Sequence, residues 1–161
     1  MHSMDVENLS ELRVDRADAS DWAALAEIDS VAAAGDQARR DAIRRWCESG
    51  AVLMARDASG PVGYGVLEYT FFEQGLVTML MVAPSAHRRG VGARLLAAVE
   101  TACTTEKLFT STNVSNHPVQ QLLRRVGWHA VGMLHGLDEG DPELFYRCPS
   151  ARLRGSTGSG G

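Results

Sequence analysis

Apolar positions at the start of the chain change from the period of a strand to that of a helix. The segment "ELRVDRA" alternates apolar and polar residues, and in "DASDWAALAEIDSVAAA" the side chains of Trp22, Leu25 and Ile28 recur on one helical face. A second helix is predicted over "QARRDAIRRWCES", and Gly50 ends it. The chain therefore begins with one strand and two helices.

Three runs with the pattern of strands come next. They are "AVLMARD", "VGYGVLEYTFF" and "LVTMLMVAP". The connecting segments "ASGP" and "EQG" have the residues of tight turns, so the three strands are expected to form an antiparallel meander. The third strand ends at Pro84.

Two more helices alternate with the last three strands. Apolar residues from Val91 to Val99 line one side of a helix that is expected to reach about Thr105, and the strand "LFTSTN" follows. In "NHPVQQLLRRVGW" Pro118 suits the first helical position and Gly127 ends the helix. The last two predicted strands are "WHAVGMLHGL" and "ELFYRC", and the acidic turn "DEGDP" joins them. This order predicts an α/β fold with a mixed sheet of about seven strands and four helices.

The length and composition indicate one globular domain. The chain has 161 residues, of which 45% are hydrophobic and 22% charged. The domain is expected over residues 12–148, between a flexible N-terminus, residues 1–11, and a flexible Gly/Ser-rich tail, residues 149–161. The formal net charge of -4 argues against general binding to nucleic acid or to an anionic membrane, so any anion site must be local.

The cysteines and the N-terminus exclude several other classes. Cys47, Cys103 and Cys148 are odd in number and widely spaced, which fits neither a zinc site nor a disulfide framework, and no metal is expected. The sequence has no apolar run of about 18 residues and no secretory signal. A cytoplasmic location is therefore expected.

The turn before the fourth helix has the residues of an anion site. The start of a helix leaves about four backbone N–H groups unpaired and carries a partial positive charge. Gly90 and Gly92 allow close approach to those groups, and Arg88, Arg89 and Arg94 would oppose the helix dipole unless an anion lay between them. A dinucleotide fingerprint needs a third small residue, and a P-loop needs Gly-Lys-Ser/Thr, which the chain lacks. The alternative interpretation is a basic helix start on a solvated surface.

Two motifs resemble those of one enzyme superfamily. "MVAPSAHRRGVGARLL" resembles the acyl-CoA pyrophosphate loop of the GNAT superfamily of N-acyltransferases, and "STNVSNHPVQQLLRRVGW" resembles the next motif of that superfamily. The order of elements from about Leu12 to Cys148 is similar as well. The resemblance implies a mostly antiparallel sheet in which strands 4 and 5 splay around the acyl-CoA arm. It also implies transfer of an acyl group, in the first place acetyl from acetyl-CoA, to the amine of a small molecule by direct attack in a ternary complex.

The resemblance assigns donor-binding roles residue by residue. Backbone N–H groups from Arg88 to Ala93 would hold the diphosphate of CoA, the strand Met79 to Val82 would pair with its pantetheine arm, and Asn116 would hydrogen-bond the same arm. A backbone N–H near Leu80 to Val82 would stabilise the oxyanion that forms from the thioester. The implied donor-binding residues are Met79, Leu80, Met81, Val82, His87, Arg88, Arg89, Gly90, Val91, Gly92, Ala93 and Asn116.

Three residues depart from the pattern of the superfamily. His87 replaces an Arg or Gln of the loop, Thr78 replaces a Glu that serves many relatives as base, and Leu123 replaces a Tyr that protonates the leaving thiolate. A substrate ammonium needs a base, direct or through water, so the base must come from elsewhere, whereas a thiolate can leave without a dedicated acid. Candidates for the base are Glu68, Glu73, His135, Asp141 and Glu143, and candidates for the proton donor are Ser115 and Tyr146.

Two other functions stay open at this point. One is an acyltransferase whose donor is carried on the phosphopantetheine of an acyl carrier protein, docked through its acidic surface on Arg88, Arg89 and Arg94. The other is a CoA-binding module without catalysis, to which the residues at positions 78 and 123 point. The expected partner is a small-molecule amine rather than nucleic acid or a membrane, and a homodimer is left open.

Overall fold

The computed structural model describes residues 11–149, 152 and 153. The first half contains β1 (Arg13–Arg16), α1 (Trp22–Ile28), α2 (Ser30–Ala33), α3 (Gln37–Glu48), β2 (Val52–Asp57), β3 (Gly60–Phe71) and β4 (Gln74–Val82). The second half contains α4 (Val91–Ala102), β5 (Leu108–Asn113), α5 (His117–Arg125), β6 (His129–Leu134) and β7 (Glu143–Arg147). Short 3-10 turns lie at Ala19–Asp21 and Pro84–Ala86.

The strands form one seven-stranded sheet in the order β1-β2-β3-β4-β5-β7-β6. The β4–β5 pair is parallel, whereas β1–β2, β2–β3, β5–β7 and β6–β7 are antiparallel. The predicted α/β class with a mixed, mostly antiparallel sheet of seven strands is confirmed. The helix count differs, because the described residues contain five α-helices where four were predicted.

The additional helix arises at Asp29, in the middle of the first predicted helix. Helix α1 ends there, and the Asp29 carboxylate accepts hydrogen bonds from the amides of Val31 and Ala32 at 2.9 and 3.1 Å, so that it caps the start of α2. Aspartate competes well for such amides, which explains why an apolar periodicity that continues through this position does not produce one continuous helix.

The chain divides into two compact units. The first unit comprises the described residues up to Val66 together with Met79–Ala98. In it, β1, β2 and the start of β3 pair antiparallel, with Val14 opposite Ala55 and Met54 opposite Tyr64. Its main core is formed by fully buried apolar residues of the helices and strands, among them Leu25, Ala26, Ile43, Val52, Met54 and Val66.

The second unit comprises Leu67–Thr78 and the described residues from Val99 onward. Gly75, Leu76 and Val77 of β4 pair with Leu108, Phe109 and Thr110 of β5. This pairing ends at Val77 and Thr110, although β5 continues to Asn113. The Phe71 ring stacks on Phe145 at 5.5 Å between centroids and meets Phe109 edge-on at 5.3 Å. Aromatic packing therefore joins β3, β5 and β7 within this unit.

The C-terminal boundary differs from the prediction. A flexible tail was expected from residue 149, but Arg152 forms an ion pair with Glu100 at 3.1 Å and Leu153 is buried. Trp128 Nε1 donates to the same Glu100 carboxylate at 2.9 Å. The expected flexible residues 1–10, 150, 151 and 154–161 lie outside the described residues.

Burial of the side chains agrees with most of the predicted helix faces. Val91, Leu95, Leu96 and Val99 of α4 are almost fully buried. In α5 the structure also buries Gln120, whose amide donates to the Val114 carbonyl oxygen at 2.6 Å, a contact that no apolar periodicity indicates.

The cysteines lie in the interior of the protein. Cys47, Cys103 and Cys148 are buried free thiols. Burial raises the pKa of Cys47 to about 11 and that of Cys148 to about 12, so both remain protonated near neutral pH. Among the described residues, no helix has both the length and the apolar character needed to cross a membrane.

Candidate functional site

The loop between β4 and α4 is held in an unusual backbone conformation. After the 3-10 turn Pro84–Ala86, Arg88 has a φ of +67° and Gly90 a φ of +76°. Gly90 adopts this left-handed region without strain, whereas a β-carbon makes it costly for Arg88. Strained backbone of this kind is common where a loop is shaped for a ligand.

Amide groups accumulate where this loop enters the helix. The first intrahelical hydrogen bond of α4 runs from the Arg94 amide to the Gly90 carbonyl oxygen at 3.1 Å, so the amides of Val91, Gly92 and Ala93 precede the hydrogen-bonded ladder. Within residues 11–149, 152 and 153, the amides from Arg88 to Gly90 donate to no protein acceptor either. This run, Arg88 to Ala93, is called the amide loop below. It has the donors and the partial positive charge that bind a diphosphate.

The charged side chains near the amide loop have different partners. Arg89 forms an ion pair with the buried Asp57 carboxylate at 3.0 Å, and Arg94 donates to the Leu12 carbonyl oxygen at 2.9 Å. Arg88 is exposed and has no such partner in the described part of the chain. The Ser59 hydroxyl and Arg89 hold the pKa of Asp57 below its usual range, which keeps this ion pair charged at neutral pH. Arg88 is thus the cation of the loop that is free to meet a phosphate.

His87 stabilises the entry to the amide loop. Its Nε2 atom lies 3.1 Å from the carbonyl oxygen of Val82, the last residue of β4. The Ala83 amide donates to the Val62 carbonyl oxygen at 2.8 Å. These contacts connect the loop to the strands around it. His87, which stands where the superfamily has Arg or Gln, therefore has a structural role rather than an obvious contact with phosphate.

The end of β4 carries the segment predicted to bind the pantetheine arm. Met79, Leu80, Met81 and Val82 are all half-buried. The Met81 carbonyl oxygen approaches Gly63 of β3 so closely that a β-carbon there would lie 2.9 Å from it. Gly63 therefore permits a close approach of the two backbones at this point.

A buried ionic network lies in the same unit. The Asp29 carboxylate is fully buried, accepts a hydrogen bond from the Tyr64 hydroxyl and pairs with Arg39 Nη1 at 2.9 Å. The same Nη1 atom lies 3.9 Å from the sulfur of Met79. Burial alone would raise the pKa of Asp29, but hydrogen bonds from Tyr64, Ala32 and Arg39 outweigh it and lower that pKa. Sequence analysis missed this network, and the one available signal was an aspartate inside an apolar helix pattern.

We expect Asp29→Asn to lower the free energy of unfolding by about 1.5 to 3 kcal/mol, because it removes the charge that pairs with Arg39. The native pKa of Asp29 is lowered, so its stabilising contribution is fully present above about pH 5 and is lost as the pH falls through the native pKa. Urea denaturation of both proteins from neutral to acidic pH measures this difference. Asp36→Asn is the matched control, because Asp36 caps α3 but is exposed.

The expected loss for the control is about 1 kcal/mol or less. A difference between the Asp29 variant and the original protein that stayed constant down to acidic pH would contradict the assignment of a charged, paired Asp29.

In the second unit, one predicted base candidate has a specific partner. The Thr78 hydroxyl on β4 donates to Glu68 Oε1 on β3 at 2.6 Å. Thr78 is exposed and Glu68 half-buried, so the carboxylate is oriented and still reaches solvent. Thr78 directly precedes Met79 in β4. The threonine that replaces the expected glutamate therefore positions a carboxylate from the neighbouring strand.

The other candidates divide into paired and unpaired groups. The Ser115 hydroxyl donates to Asp141 Oδ2 at 2.6 Å, and the Ser115 amide donates to the second oxygen of that carboxylate at 3.0 Å. Glu73 lies in the β3–β4 turn with a φ of +64°, and His135 follows β6; both are exposed and have no partner in the described part of the chain. Glu143 is the first residue of β7.

The hydroxyl group of Tyr146 lacks a partner in the interior. Tyr146 is 1% exposed, and its oxygen is the one buried side-chain polar atom of the described residues that makes no hydrogen bond. Tyr146 lies on β7 opposite Thr110 of β5, and the Thr110 hydroxyl donates to the Val77 carbonyl oxygen at 3.0 Å. A buried hydroxyl without a partner is costly, which makes it a candidate ligand group.

Asn116 has a structural role that the motif did not indicate. Its side-chain oxygen accepts from the Val119 amide at 3.3 Å and caps the start of α5. The amide nitrogen of the same side chain donates to no group of the described residues. Asn116 can therefore cap the helix and still donate to a ligand.

Comparison with known proteins identifies the family to which these features correspond. The model of the acetyltransferase (GNAT) family matches residues 18–128. A GNAT-family acetyltransferase from Bacillus cereus ATCC 10987 has a similar structure, with a TM-score of 0.79 and 27% identity over 85% of this chain and 96% of that chain. Among proteins with curated functions, none matches this chain.

Two less similar structures contain ligands. The yncA protein from Salmonella typhimurium, solved with its cofactor acetyl-CoA, has a TM-score of 0.70 and 19% identity over 86% of this chain and 93% of that chain. The diaminobutyrate acetyltransferase EctA from Paenibacillus lautus, in complex with L-2,4-diaminobutyric acid and coenzyme A, has a TM-score of 0.70 and 18% identity over 87% of this chain and 96% of that chain. At these identities the similarity concerns the fold.

Proposed function

The chain belongs to the acetyltransferase (GNAT) family, and from this premise we propose that it transfers acetyl from acetyl-CoA to the amine of a small molecule by direct attack in a ternary complex. The observation that carries the proposal is the amide loop, where the amides of Arg88 to Ala93 donate to no acceptor among the described residues as the chain passes from β4 into α4. Phosphate groups bind such a helix start through backbone donors alone. The exposed Arg88 adds the charge that a diphosphate requires.

The remaining donor contacts extend this assignment along the chain. Backbone groups of Met79 to Val82 pair with the pantetheine arm as a short additional strand would, and the free amide nitrogen of Asn116 donates to that arm. One amide of Leu80 to Val82 stabilises the negative charge that develops on the thioester oxygen. The amide loop supplies affinity, whereas the β4 amide supplies rate.

Glu68 is the proposed general base. An ammonium group must lose a proton before it can attack a thioester, and a carboxylate positioned by a hydrogen bond can accept that proton directly or through water. Among the candidates, Glu68 is oriented by a neighbouring hydroxyl, reaches solvent, and has that hydroxyl on the residue before Met79. These features support Glu68 over the unpaired Glu73 and His135.

Tyr146 is the proposed proton donor to the departing thiolate, in place of the tyrosine that position 123 lacks. The C–S bond breaks as the amide bond forms, and the sulfur takes the proton of the hydroxyl group. The support is the buried hydroxyl without a partner, which the sulfur of the donor would satisfy. Ser115 is a weaker candidate, because its hydroxyl is already bound to Asp141.

Tyr146→Phe separates the two consequences of this assignment. The free energy of unfolding of the variant should be about 1 kcal/mol higher than that of the original protein, because a buried unsatisfied hydroxyl is removed. The variant should therefore be more stable. Turnover should fall about tenfold, a modest loss because a thiolate leaves without full protonation. Chemical denaturation and a thiol-release assay measure the two effects. Tyr64→Phe is the matched control, and it should lose stability because the Tyr64 hydroxyl donates to Asp29.

A loss of stability in the Tyr146 variant would show that its hydroxyl has a partner within the protein. Unchanged turnover would assign the proton donor elsewhere.

The function itself is tested by binding and turnover together. Calorimetry with CoA and acetyl-CoA should show binding, and thiol release from acetyl-CoA should accelerate with some members of a panel of small amines. Binding without turnover for any amine would favour the module without catalysis. Binding of a pantetheinylated carrier protein but of neither CoA species would favour the carrier-dependent enzyme. Absence of all binding would remove the proposal.

A further inference from the structure

Three phenylalanine rings lie together on one face of the sheet in the second unit. Phe71 stacks on Phe145 with the ring centroids 5.5 Å apart and meets Phe109 edge-on at 5.3 Å. Leu76 of β4 lies opposite Phe109 of β5, and Ser111 of β5 lies opposite Phe145 of β7. All five side chains are half-buried. This set is called the aromatic face below.

The opposite face of the same strands is closed. Alternate residues of a strand point to opposite sides of a sheet, and the residues that alternate with the aromatic face are at most 7% exposed: Val77, Leu108, Thr110 and Thr112. The Cys103 sulfur, just after α4, would lie 2.8 Å from a β-carbon at Gly75, so the end of this helix packs on the closed side. The aromatic face is therefore the side of these strands on which apolar surface is accessible to a ligand.

A carboxylate lies beside the aromatic face. Thr78 is two residues after Leu76 in β4, about 7 Å along the strand, and so on the same side of the sheet. Its hydroxyl donates to Glu68 Oε1 at 2.6 Å, just past Val77, the last residue of β4 that pairs with β5. Because Leu76 lies opposite Phe109, the carboxylate and that ring are close enough for one small molecule to contact both.

The charges on this side of the sheet favour a cation. Arg147 lies opposite Phe109, and Glu143 lies opposite Asn113, so both residues belong to the same side of β7 as the aromatic face. Together with Glu68 they give two carboxylates and one guanidinium, which leaves one negative charge. A negative site attracts an ammonium group, and aromatic rings add to that attraction.

We propose that the acceptor is an arylalkyl primary amine, a molecule in which a short alkyl chain joins the amine to an aromatic ring. Its ammonium group binds at Glu68, and its ring packs against Phe109 and Phe145. The inference rests on the proposed acetyl transfer and adds the chemical class of the acceptor. Burial of an aromatic ring on this surface is favourable, whereas a polar group there would lose hydrogen bonds to water.

The chemical step remains that of the proposed function. The amine nitrogen gives a proton to Glu68 and forms its bond to the acetyl carbon as the C–S bond breaks. CoA leaves as a thiol with the proton of Tyr146. The aromatic face takes no part in this step, and its contribution is the position and affinity of the amine.

Steady-state kinetics of the original protein with two primary amines of similar basicity tests the proposal. We expect kcat/KM to be about 30-fold higher for 2-phenylethylamine than for ethanolamine, because the phenyl ring is removed from water. An equal or higher value for ethanolamine, or turnover of other amines but not of 2-phenylethylamine, would overturn the inference and leave the proposed acetyl transfer intact. Turnover of no amine at all would overturn both.

Phe109→Leu tests the position of the bound ring. The variant should lower the preference for 2-phenylethylamine over ethanolamine about tenfold, while calorimetry shows unchanged affinity for acetyl-CoA. Phe72→Leu is the matched control, because Phe72 is 84% exposed in the β3–β4 turn and meets the aromatic face only at the edge of Phe71. Its preference should stay at the original value.

The ratio of the two kcat/KM values separates acceptor binding from a structural role. A Phe109 ring that only supports the fold would lower both values to the same extent when it is replaced. Such an equal loss, or a change of preference in the control as large as that in Phe109→Leu, would overturn the assignment of the aromatic face to the acceptor.

Discussion

Replacing Gly92 with glutamate is expected to weaken the binding of CoA and acetyl-CoA by two to three orders of magnitude. Gly92 supplies the second amide of α4 before the helical hydrogen bonds begin, and a carboxylate there would compete with the diphosphate for the amide loop. Two unit charges about 4 Å apart at an effective dielectric constant of about 20 repel by about 4 kcal/mol, and each 1.4 kcal/mol is about a tenfold change in affinity.

Isothermal titration calorimetry measures this loss directly, and Gly92→Ala is its control. Alanine adds a methyl group without charge, so a much smaller loss distinguishes repulsion from steric exclusion. Circular dichroism should show the same helix content in both variants. Retained affinity in the glutamate variant would show that the diphosphate does not bind at the start of α4, and the assignment of the donor site would fail.

Glu68→Gln is expected to lower kcat by a factor of about a hundred to ten thousand while binding of acetyl-CoA stays unchanged. Glutamine keeps the size and accepts the hydrogen bond from Thr78, but it cannot take a proton from the attacking ammonium. The loss should diminish at high pH, where more of the amine substrate is already deprotonated. Steady-state kinetics across pH, with calorimetry of the donor, measures both quantities.

Glu106→Gln makes the same change at an exposed glutamate between α4 and β5 and should leave kcat unchanged. If Glu73→Gln caused the large loss and Glu68→Gln did not, the base would be the turn residue. Equal activity in all three variants would exclude Glu68 and Glu73 and leave His135, Asp141, Glu143 or solvent as the acceptor of the proton.

Local sequence patterns account for most of the fold. Apolar runs between turn residues predicted β2, β3 and β4, and helical spacing predicted α3, α4 and α5. Consecutive residues of β2 and β3 are buried, so these strands are covered on both faces. Gly90, which adopts a positive φ readily, indicated the unusual backbone at one position of the amide loop, whereas the positive φ of Arg88 was not predicted. These are features that depend on a few neighbouring residues.

Contacts between distant segments account for what the sequence did not predict. The break between α1 and α2 depends on Asp29, whose partners Arg39 and Tyr64 are 10 and 35 residues away. Arg89 and Arg94 carry positive charge in the sequence, yet the structure gives them partners 32 and 82 residues away. Periodicity contains no information about such pairs.

The candidate site also has a part that local sequence indicates and a part that only contacts between distant segments determine. The motif predicted that a helix begins at the proposed donor amides, and α4 begins there at Val91. Binding through backbone groups needs no particular side chain. The choice among the carboxylates required the hydrogen bond from Thr78 to Glu68. The choice of the proton donor required the unpartnered hydroxyl of Tyr146. Neither can be inferred from residue types alone.

The contacts of Glu100 set a limit on how the protein can be cut or fused. Glu100 holds both Trp128 and Arg152, and the next residue, Leu153, is buried. An affinity tag, a fluorescent fusion or a designed truncation should therefore join the chain after residue 153. A boundary at Cys148 would remove one partner of a carboxylate that is largely enclosed and would open the site that Leu153 fills.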